Sequence, residues 1–80
     1  MYFVYIIRCE DDSLYTGTST DPEAIFLKHK EGLGSKYTRA HKPVKLVYTE
    51  KLEGKSEALK RELEIKGWDK KKKEEFIKTT

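Results

Sequence analysis

Residues 2–18, YFVYIIRCEDDSLYTGT, decide the fold that this sequence predicts. The segment 2–7 is β-branched or aromatic throughout, which is typical of a strand buried on both faces. Short polar residues then suit a turn, and a second strand-like segment follows. We therefore predict a β-hairpin that carries a tyrosine on each strand, Tyr5 and Tyr15. Gly17 accepts backbone angles that other residues avoid, so we expect it to end or bulge the second strand.

A first helix is predicted to begin after the hairpin. Thr20 or Asp21 can cap its free amides, and a proline suits its first turn. The helix should run to about residue 30. Its apolar residues 24–27 are consecutive rather than spaced, which predicts a helix covered on more than one side. Residues 32–43 contain glycines and basic side chains and are interpreted as a loop.

A third strand is predicted over residues 44–50. The alternation along this segment should place Val44, Leu46 and Tyr48 on one face. Together with the hairpin, this strand would complete a small, mainly antiparallel sheet of three strands flanked by helices. The predicted fold class is therefore α/β, in the α+β sense.

Two helices are predicted after the third strand. Ser56 is expected to cap the first, which should run to about residue 66. Gly67 should end it in the left-handed conformation. Asp69 can cap the last helix, whose first turn carries four lysines, residues 70–73. Positive charge there opposes the helix dipole, so we interpret the run as a solvated terminus, with a phosphate-contacting patch as the alternative.

Length and composition limit the classes of protein that this chain can represent. Eighty residues predict one domain, residues 1–80. Charged residues make up 39% of the chain with a net charge of only +3, which suits a soluble monomer and hints weakly at an anionic partner. The single cysteine excludes an internal disulfide. We expect a cytoplasmic protein, because there is no signal-peptide pattern and no apolar stretch near the roughly 18 residues that span a membrane.

Glu62 is the first candidate functional residue. On the predicted helix, at about 100° per residue, Glu62 falls near the middle of an apolar arc. The arc contains Ala58, Leu59, Leu63 and Ile65. An unpaired carboxylate on a core-facing arc is costly. Glu62 can be half of an ion pair, with Lys66 in the same arc, or a ligand for a hard divalent cation, and the spacing leaves both open.

Tyr5, Tyr15 and His29 are the other candidates. Tyrosines on strands usually serve packing, which is the role expected for Tyr2, Tyr37 and Tyr48. Two tyrosines near the same end of a hairpin, beside a glycine that admits close backbone approach, suggest a functional role in addition to packing. A lone histidine on a helix is more often structural, but His29 could also orient a phosphate or polarise a tyrosine hydroxyl.

The order and spacing of these segments resemble the GIY-YIG nuclease domain, in particular its small single-domain bacterial members. The resemblance covers nearly the whole chain. Val4-Tyr5-Ile6 stands at the GIY element and Tyr15-Thr16-Gly17 at the YIG element. Three later segments are also similar to the family: residues 20–29, 36–48 and 56–62.

The resemblance implies a function and a role for each candidate. Family nucleases hydrolyse a DNA phosphodiester with one divalent ion, commonly Mg²⁺, with Mn²⁺ as the alternative. By position, Glu62 would hold the metal, Tyr5 would be the general base, and Tyr15 and His29 would bind the phosphate or position that tyrosine. We expect basic residues to contact the nucleic acid: Lys28, Lys36, Arg39 and Lys42.

One departure from the family is serious. The family normally has an arginine four positions before the histidine, and here that residue is Ile25. An arginine would stabilise the charged phosphate with charge-assisted hydrogen bonds, which isoleucine cannot do. Lys28, Arg8 or Arg39 could replace it if the fold brings one of them close. The expected activity is therefore weak or lost. The alternatives are a non-catalytic nucleic-acid-binding module and a protein-interaction domain.

Overall fold

The computed structural model describes residues 1–80. Its elements, in chain order, are β1 (Tyr2–Cys9), β2 (Leu14–Ser19), α1 (Pro22–Lys30), α2 (Lys36–Ala40), β3 (Pro43–Leu52), α3 (Lys55–Lys66) and α4 (Lys70–Lys78). The strands form one antiparallel sheet in the order β2-β1-β3. This arrangement confirms the predicted hairpin and the predicted α+β class.

The central strand β1 is buried on both faces, as its sequence predicts. On one face, Val4 and Ile6 are fully buried against α3, and we call this the α3 face. On the other, Tyr5, Ile7 and Cys9 are buried against side chains of α1, and we call this the α1 face. The alternation of side chains along β1 therefore supplies a core on each side of the sheet.

A β-bulge in β3 changes which of its side chains share a face. Ile6 pairs with Tyr48, but the next residue, Ile7, pairs with Leu46, so that one extra residue lies between the two pairs. Leu46 consequently packs on the α1 face and Tyr48 on the α3 face. Val44 is 51% exposed. The predicted common face for these three β3 residues is wrong, because an inserted residue reverses the alternation of a strand.

Helix α1 touches the sheet with one side only. Asp21 caps it by accepting a hydrogen bond from the Ala24 amide at 3.2 Å. Ile25 and Phe26 pack on the α1 face of the sheet. Ala24 is exposed and Leu27 is 58% exposed. The prediction of a helix covered on more than one side is therefore wrong.

A short helix, α2, lies within the segment predicted as a loop. Ser35 caps it by accepting from the Thr38 amide at 3.3 Å. Thr38 is buried, whereas its neighbours on either side in the sequence are exposed. Five residues are too few for a helix to persist alone, so the burial of Thr38 holds α2 in place.

The two ends of α3 differ from the sequence prediction. Gly54 is its N-cap and Ser56 lies inside the helix, without a side-chain capping bond. Gly67 has φ −76° and ψ −12°, a right-handed conformation, instead of the predicted left-handed one. Gly67 keeps the right-handed backbone conformation of the helix, so the end of α3 does not require a left-handed residue.

Helix α4 docks on the α3 face through aromatic rings. Asp69 caps it, as predicted, by accepting an amide hydrogen bond of 2.8 Å from its first turn. The Phe76 ring lies edge-on to Tyr48 at 4.9 Å and to Trp68 at 5.0 Å, measured between ring centroids. None of the four helices has the length and apolar character that a membrane span requires.

Thr16 provides a test of the packing between the sheet and α3. It is 3% exposed, and its Oγ1 atom has no hydrogen-bond partner. Thr16→Val keeps the shape and removes this unpaired hydroxyl, so we expect the free energy of unfolding to rise by about 1 kcal/mol in urea titrations. Thr18→Val, at a partly exposed site of the same strand, is the matched control and should change stability by less than about 0.5 kcal/mol. A destabilised Thr16→Val protein would show that the hydroxyl has a partner.

Candidate active site

Tyr5 and Gly17 form the first contact of the site. They face each other across the β1–β2 pair, and the Tyr5 ring lies over the glycine. A methyl group at position 17 would be 2.4 Å from the Tyr5 hydroxyl oxygen, so only glycine leaves room for this ring. Gly17 therefore neither ends nor bulges β2, which continues to Ser19. The strand carries glycine here because a side chain would displace Tyr5.

The Tyr5 hydroxyl is hydrogen-bonded to a buried histidine. Its oxygen lies 3.1 Å from Nε2 of His29, which is 3% exposed. Nδ1 of the same ring lies 2.6 Å from Thr38 Oγ1. Thr38 in turn donates to the Ser35 carbonyl oxygen at 3.2 Å. A carbonyl only accepts, so the Thr38 oxygen accepts from His29 Nδ1–H. We therefore assign Nε2 as the acceptor of the tyrosine proton.

Burial acts on the pKa values of both members of this pair. It lowers the pKa of His29, so the ring is neutral at neutral pH. Burial is also the largest cause of the raised pKa of Tyr5, followed by electrostatic interaction with the neighbouring Tyr15 and with the Glu62 carboxylate. The isolated site therefore holds the proton on Tyr5 and keeps an uncharged nitrogen beside it.

The segment before α2 packs against the His29 ring. A methyl group on Gly34 would lie 2.0 Å from His29 Nδ1. Neither Gly34 nor Thr38 is predicted as a site residue from the sequence. The sequence feature that could have indicated them is a glycine directly before a Ser-x-x-Thr capping pattern, in a segment that is interpreted as a loop.

A row of aromatic rings leads from this pair to the surface. The Tyr15 ring is 6.3 Å from Tyr5 and 5.3 Å from His29. It stacks on Tyr37 at 5.6 Å, and Tyr37 stacks on His41 at 4.3 Å. Tyr37 is 36% exposed and extends the site outward, a placement its expected packing role does not predict.

Glu62 lies on a buried stripe of α3. Ala58 and Ile65, one turn on either side of it, are fully buried, and the Glu62 side chain is only 15% exposed. Leu59 and Leu63, which the sequence analysis placed on the same arc, are 41% and 70% exposed. The helix presents Ala58 to the sheet, and this orientation turns both leucines toward solvent.

Glu62 pairs with Lys66, and it also acts electrostatically on Tyr5. Its carboxylate lies 3.1 Å from Lys66 Nζ, one helical turn away, which is the ion pair that the sequence left open. Its charge contributes to the raised pKa of Tyr5, although α3 covers the opposite face of the sheet. Tyr5 lies across Gly17 of β2, which is an edge strand of the sheet.

Glu62 fits a divalent cation that keeps most of its water. No three His, Cys, Asp or Glu side chains gather anywhere in the chain, so the protein has no complete cage for a metal. Mg²⁺ is commonly held by one or two carboxylates together with waters and substrate phosphates. Glu62 supplies one carboxylate, and its Lys66 partner is half exposed and free to move away.

An apolar side chain, Ile25, stands where the resemblance implies an arginine. Ile25 lies one turn before His29 and packs on the α1 face with Tyr5. Arg8 cannot replace the arginine, because its guanidinium donates to Glu74 at 2.6 and 2.7 Å and to Asp12 at 2.9 Å. The contacts of Arg8 hold α4 to the end of β1.

Two of the four predicted nucleic-acid-binding residues lie beside His29. Arg39 and Lys42 line a groove of 700 Å³ that has His29 in its wall. Lys28 and Lys36 are exposed and lie outside this groove. The charged residues of the groove are Lys30, Arg39, Lys42, Glu10 and Glu31.

Gly34→Ala tests the packing around His29. The added methyl group must displace the ring, so we expect unfolding to become easier by about 1–3 kcal/mol. The His29 ring resonances in NMR spectra should also shift. Gly67→Ala is the control, because Gly67 is right-handed and the nearest atom to a methyl group there is a backbone oxygen at 3.4 Å. Unchanged His29 resonances in Gly34→Ala would contradict the observed contact.

The pH dependence of stability tests the burial of His29. Its folded pKa is lowered, so the unfolded chain binds the proton more readily. The stability that depends on neutral His29 should be complete above about pH 6.5 and should fall as the pH decreases below that value. Urea titrations in a His41→Gln background isolate this effect from the second histidine. A stability that rises on acidification through this range would contradict the assignment.

Comparison with known proteins places this arrangement in a family. The GIY-YIG catalytic domain family matches residues 1–75. The UPF0213 protein of Staphylococcus aureus strain Mu3 is 54% identical over 77 residues, which cover 96% of this chain and 94% of that protein. The UPF0213 protein SA0446 of strain N315 shows the same identity and coverage.

Two solved structures have a similar fold. The solution NMR structure of the UPF0213 protein BH0048 from Bacillus halodurans has a TM-score of 0.64 and 41% identity, covering all of this chain and 86% of that one. The protein EF2693 from E. faecalis has a TM-score of 0.63 and 38% identity, with 98% and 83% covered. The chain belongs to the GIY-YIG family.

Proposed function

We propose that residues 1–80 act as one metal-dependent endonuclease domain that hydrolyses phosphodiester bonds in DNA. The observation that carries this proposal is the hydrogen bond between the Tyr5 hydroxyl and His29 Nε2, with Glu62 close enough to influence the tyrosine. Activity is reduced because Ile25 stands at the arginine position. Mg²⁺ or Mn²⁺ would be held by Glu62, and the domain would act as a monomer, since one chain carries every residue of the site.

In this proposal Tyr5 is the general base and His29 its proton acceptor. His29 is neutral and offers an unprotonated Nε2, so a proton can pass from Tyr5 to the ring as Tyr5 takes one from water. Thr38 keeps the ring in the required tautomer. Burial and the Glu62 charge oppose ionisation of Tyr5, which keeps the base inactive in the isolated protein. A bound divalent cation supplies charge that stabilises the phosphoryl oxygens.

The surface around the site supports a nucleic-acid substrate. Arg39 and Lys42 lie in the groove beside His29, where they can contact phosphates of the strand. Lys28 and Lys36 would add longer-range attraction. The exposed ring of Tyr37 offers a surface on which a base can stack.

A non-catalytic nucleic-acid-binding module is the second candidate, and one observation favours it. Ile25 is packed into the α1 face, so the arginine position is occupied by the core and not by a cation. A binding module predicts salt-sensitive DNA affinity that is indifferent to Glu62→Ala and Ile25→Arg. The endonuclease predicts a dependence of cleavage on both.

The test is cleavage of labelled linear, flapped and branched DNAs with Mg²⁺ or Mn²⁺. We expect Glu62→Ala to abolish cutting, because the only proposed metal ligand is removed. Ile25→Arg should raise the rate by about 10² to 10³, the usual effect of one electrostatic contributor at a charged transition state. Glu57→Ala, which removes an exposed carboxylate from the same helix, is the control and should cut like the unmodified protein.

The outcomes separate the two candidates. Cutting by the unmodified protein that disappears in Glu62→Ala supports the endonuclease. Cutting by Ile25→Arg alone supports an intact site that one residue disables. If no folded variant cuts any substrate, the endonuclease proposal fails, and DNA binding that weakens with salt then supports the binding module.

A further inference from the structure

Lys66 is the one basic side chain that contacts Glu62. Its Nζ atom lies 3.1 Å from the Glu62 carboxylate, and no other cation pairs with that group. An ordinary Glu–Lys pair four residues apart on a helix is exposed at both ends. Here the Glu62 side chain is 15% exposed and the Lys66 side chain 47% exposed. The carboxylate is therefore held in place while the ammonium group keeps access to solvent.

None of the three arginines of the chain pairs with Glu62. Arg8 is bound to two carboxylates near α4. Arg61 donates to Glu50 and Glu64. Arg39 lines the groove that has Thr38 and His29 in its wall, and Glu62 does not line that groove.

We propose that Lys66 binds the substrate phosphate beside the cation on Glu62, and so supplies the positive charge that Ile25 cannot. This inference rests on the proposed endonuclease function. In this structure Lys66 is the cation that contacts Glu62. If Glu62 holds a divalent cation, Lys66 would be free to contact a substrate phosphate bound there, because its helix fixes it one turn from Glu62. A lysine is suited to this role as a flexible point charge.

Two consequences distinguish this role from a structural ion pair. Lys66 competes with the metal for Glu62, so its removal should leave metal affinity unchanged or raise it. Lys66 also replaces the family arginine, so restoring that arginine should make the lysine dispensable. A lysine that merely positioned Glu62 would lower metal affinity when removed, and an arginine elsewhere would not compensate.

The experiment uses Lys66→Met, Lys66→Arg and the control Lys60→Met, which removes an exposed charge from the same helix. Each is made with Ile25 and with Ile25→Arg. Mn²⁺ binding is measured on the DNA-free protein by titration calorimetry. DNA affinity is measured as a function of salt concentration. Cleavage is measured with Mg²⁺.

We expect Lys66→Met to lower cleavage by about 10- to 100-fold, as for loss of one charged hydrogen bond. Lys66→Arg and Lys60→Met should stay within a few-fold of the unmodified protein. Mn²⁺ affinity of Lys66→Met should be equal or higher. The slope of log DNA affinity against log salt concentration should decrease in magnitude by about one in Lys66→Met. With Ile25→Arg present, the loss of cleavage should shrink below about three-fold.

Three results would overturn the inference: weaker Mn²⁺ binding in Lys66→Met, cleavage equal to that of Lys60→Met, or the same loss with and without Ile25→Arg. If no protein cleaves at all, the endonuclease proposal fails on its own. The binding measurements then still decide the role of Lys66, and an unchanged salt slope in Lys66→Met overturns it.

Discussion

The burial of β1 on both faces is the constraint on which the rest of this structure depends. Because its side chains alternate, Val4 and Ile6 anchor α3 while Tyr5 and Ile7 anchor α1. A strand buried on one face only would leave one helix without a partner. The same alternation places the helices that carry His29 and Glu62 on opposite faces of the sheet, so each helix brings one polar residue of the candidate site to its own face.

The buried polar groups of this site are linked by consecutive hydrogen bonds. The Tyr5 hydroxyl, the His29 ring and the Thr38 hydroxyl bond to one another, and the chain ends on a backbone carbonyl of the α2 cap. Breaking any link would leave the others unpaired in a medium of low dielectric constant, where the penalty is high. Two glycines, Gly17 and Gly34, make space for these rings. The packing of the candidate site therefore depends on the lack of a side chain at these two positions as well as on its polar groups.

Local patterns predicted the hairpin, the helices and the caps at Asp21 and Asp69, because each depends on neighbouring residues alone. The β3 bulge and the short helix α2 were missed, since both are fixed by pairing or burial across the fold. The spacing selected Glu62 correctly as a partly buried carboxylate, but for an arc that included two exposed leucines. The roles of Thr38 and Tyr37 follow only from contacts that sequence spacing does not encode.

The central strand is synthesised before the other elements described here. β1 pairs with β2 almost at once, but its second edge and its α3 face stay uncovered until β3 and α3 have been synthesised. During that interval the nascent chain exposes an apolar strand with an open edge, the feature that promotes aggregation. Because Glu62 lies in α3, the candidate site is complete only after that helix has been synthesised. The candidate site therefore forms late, once the sheet and the helices on both of its faces are in place.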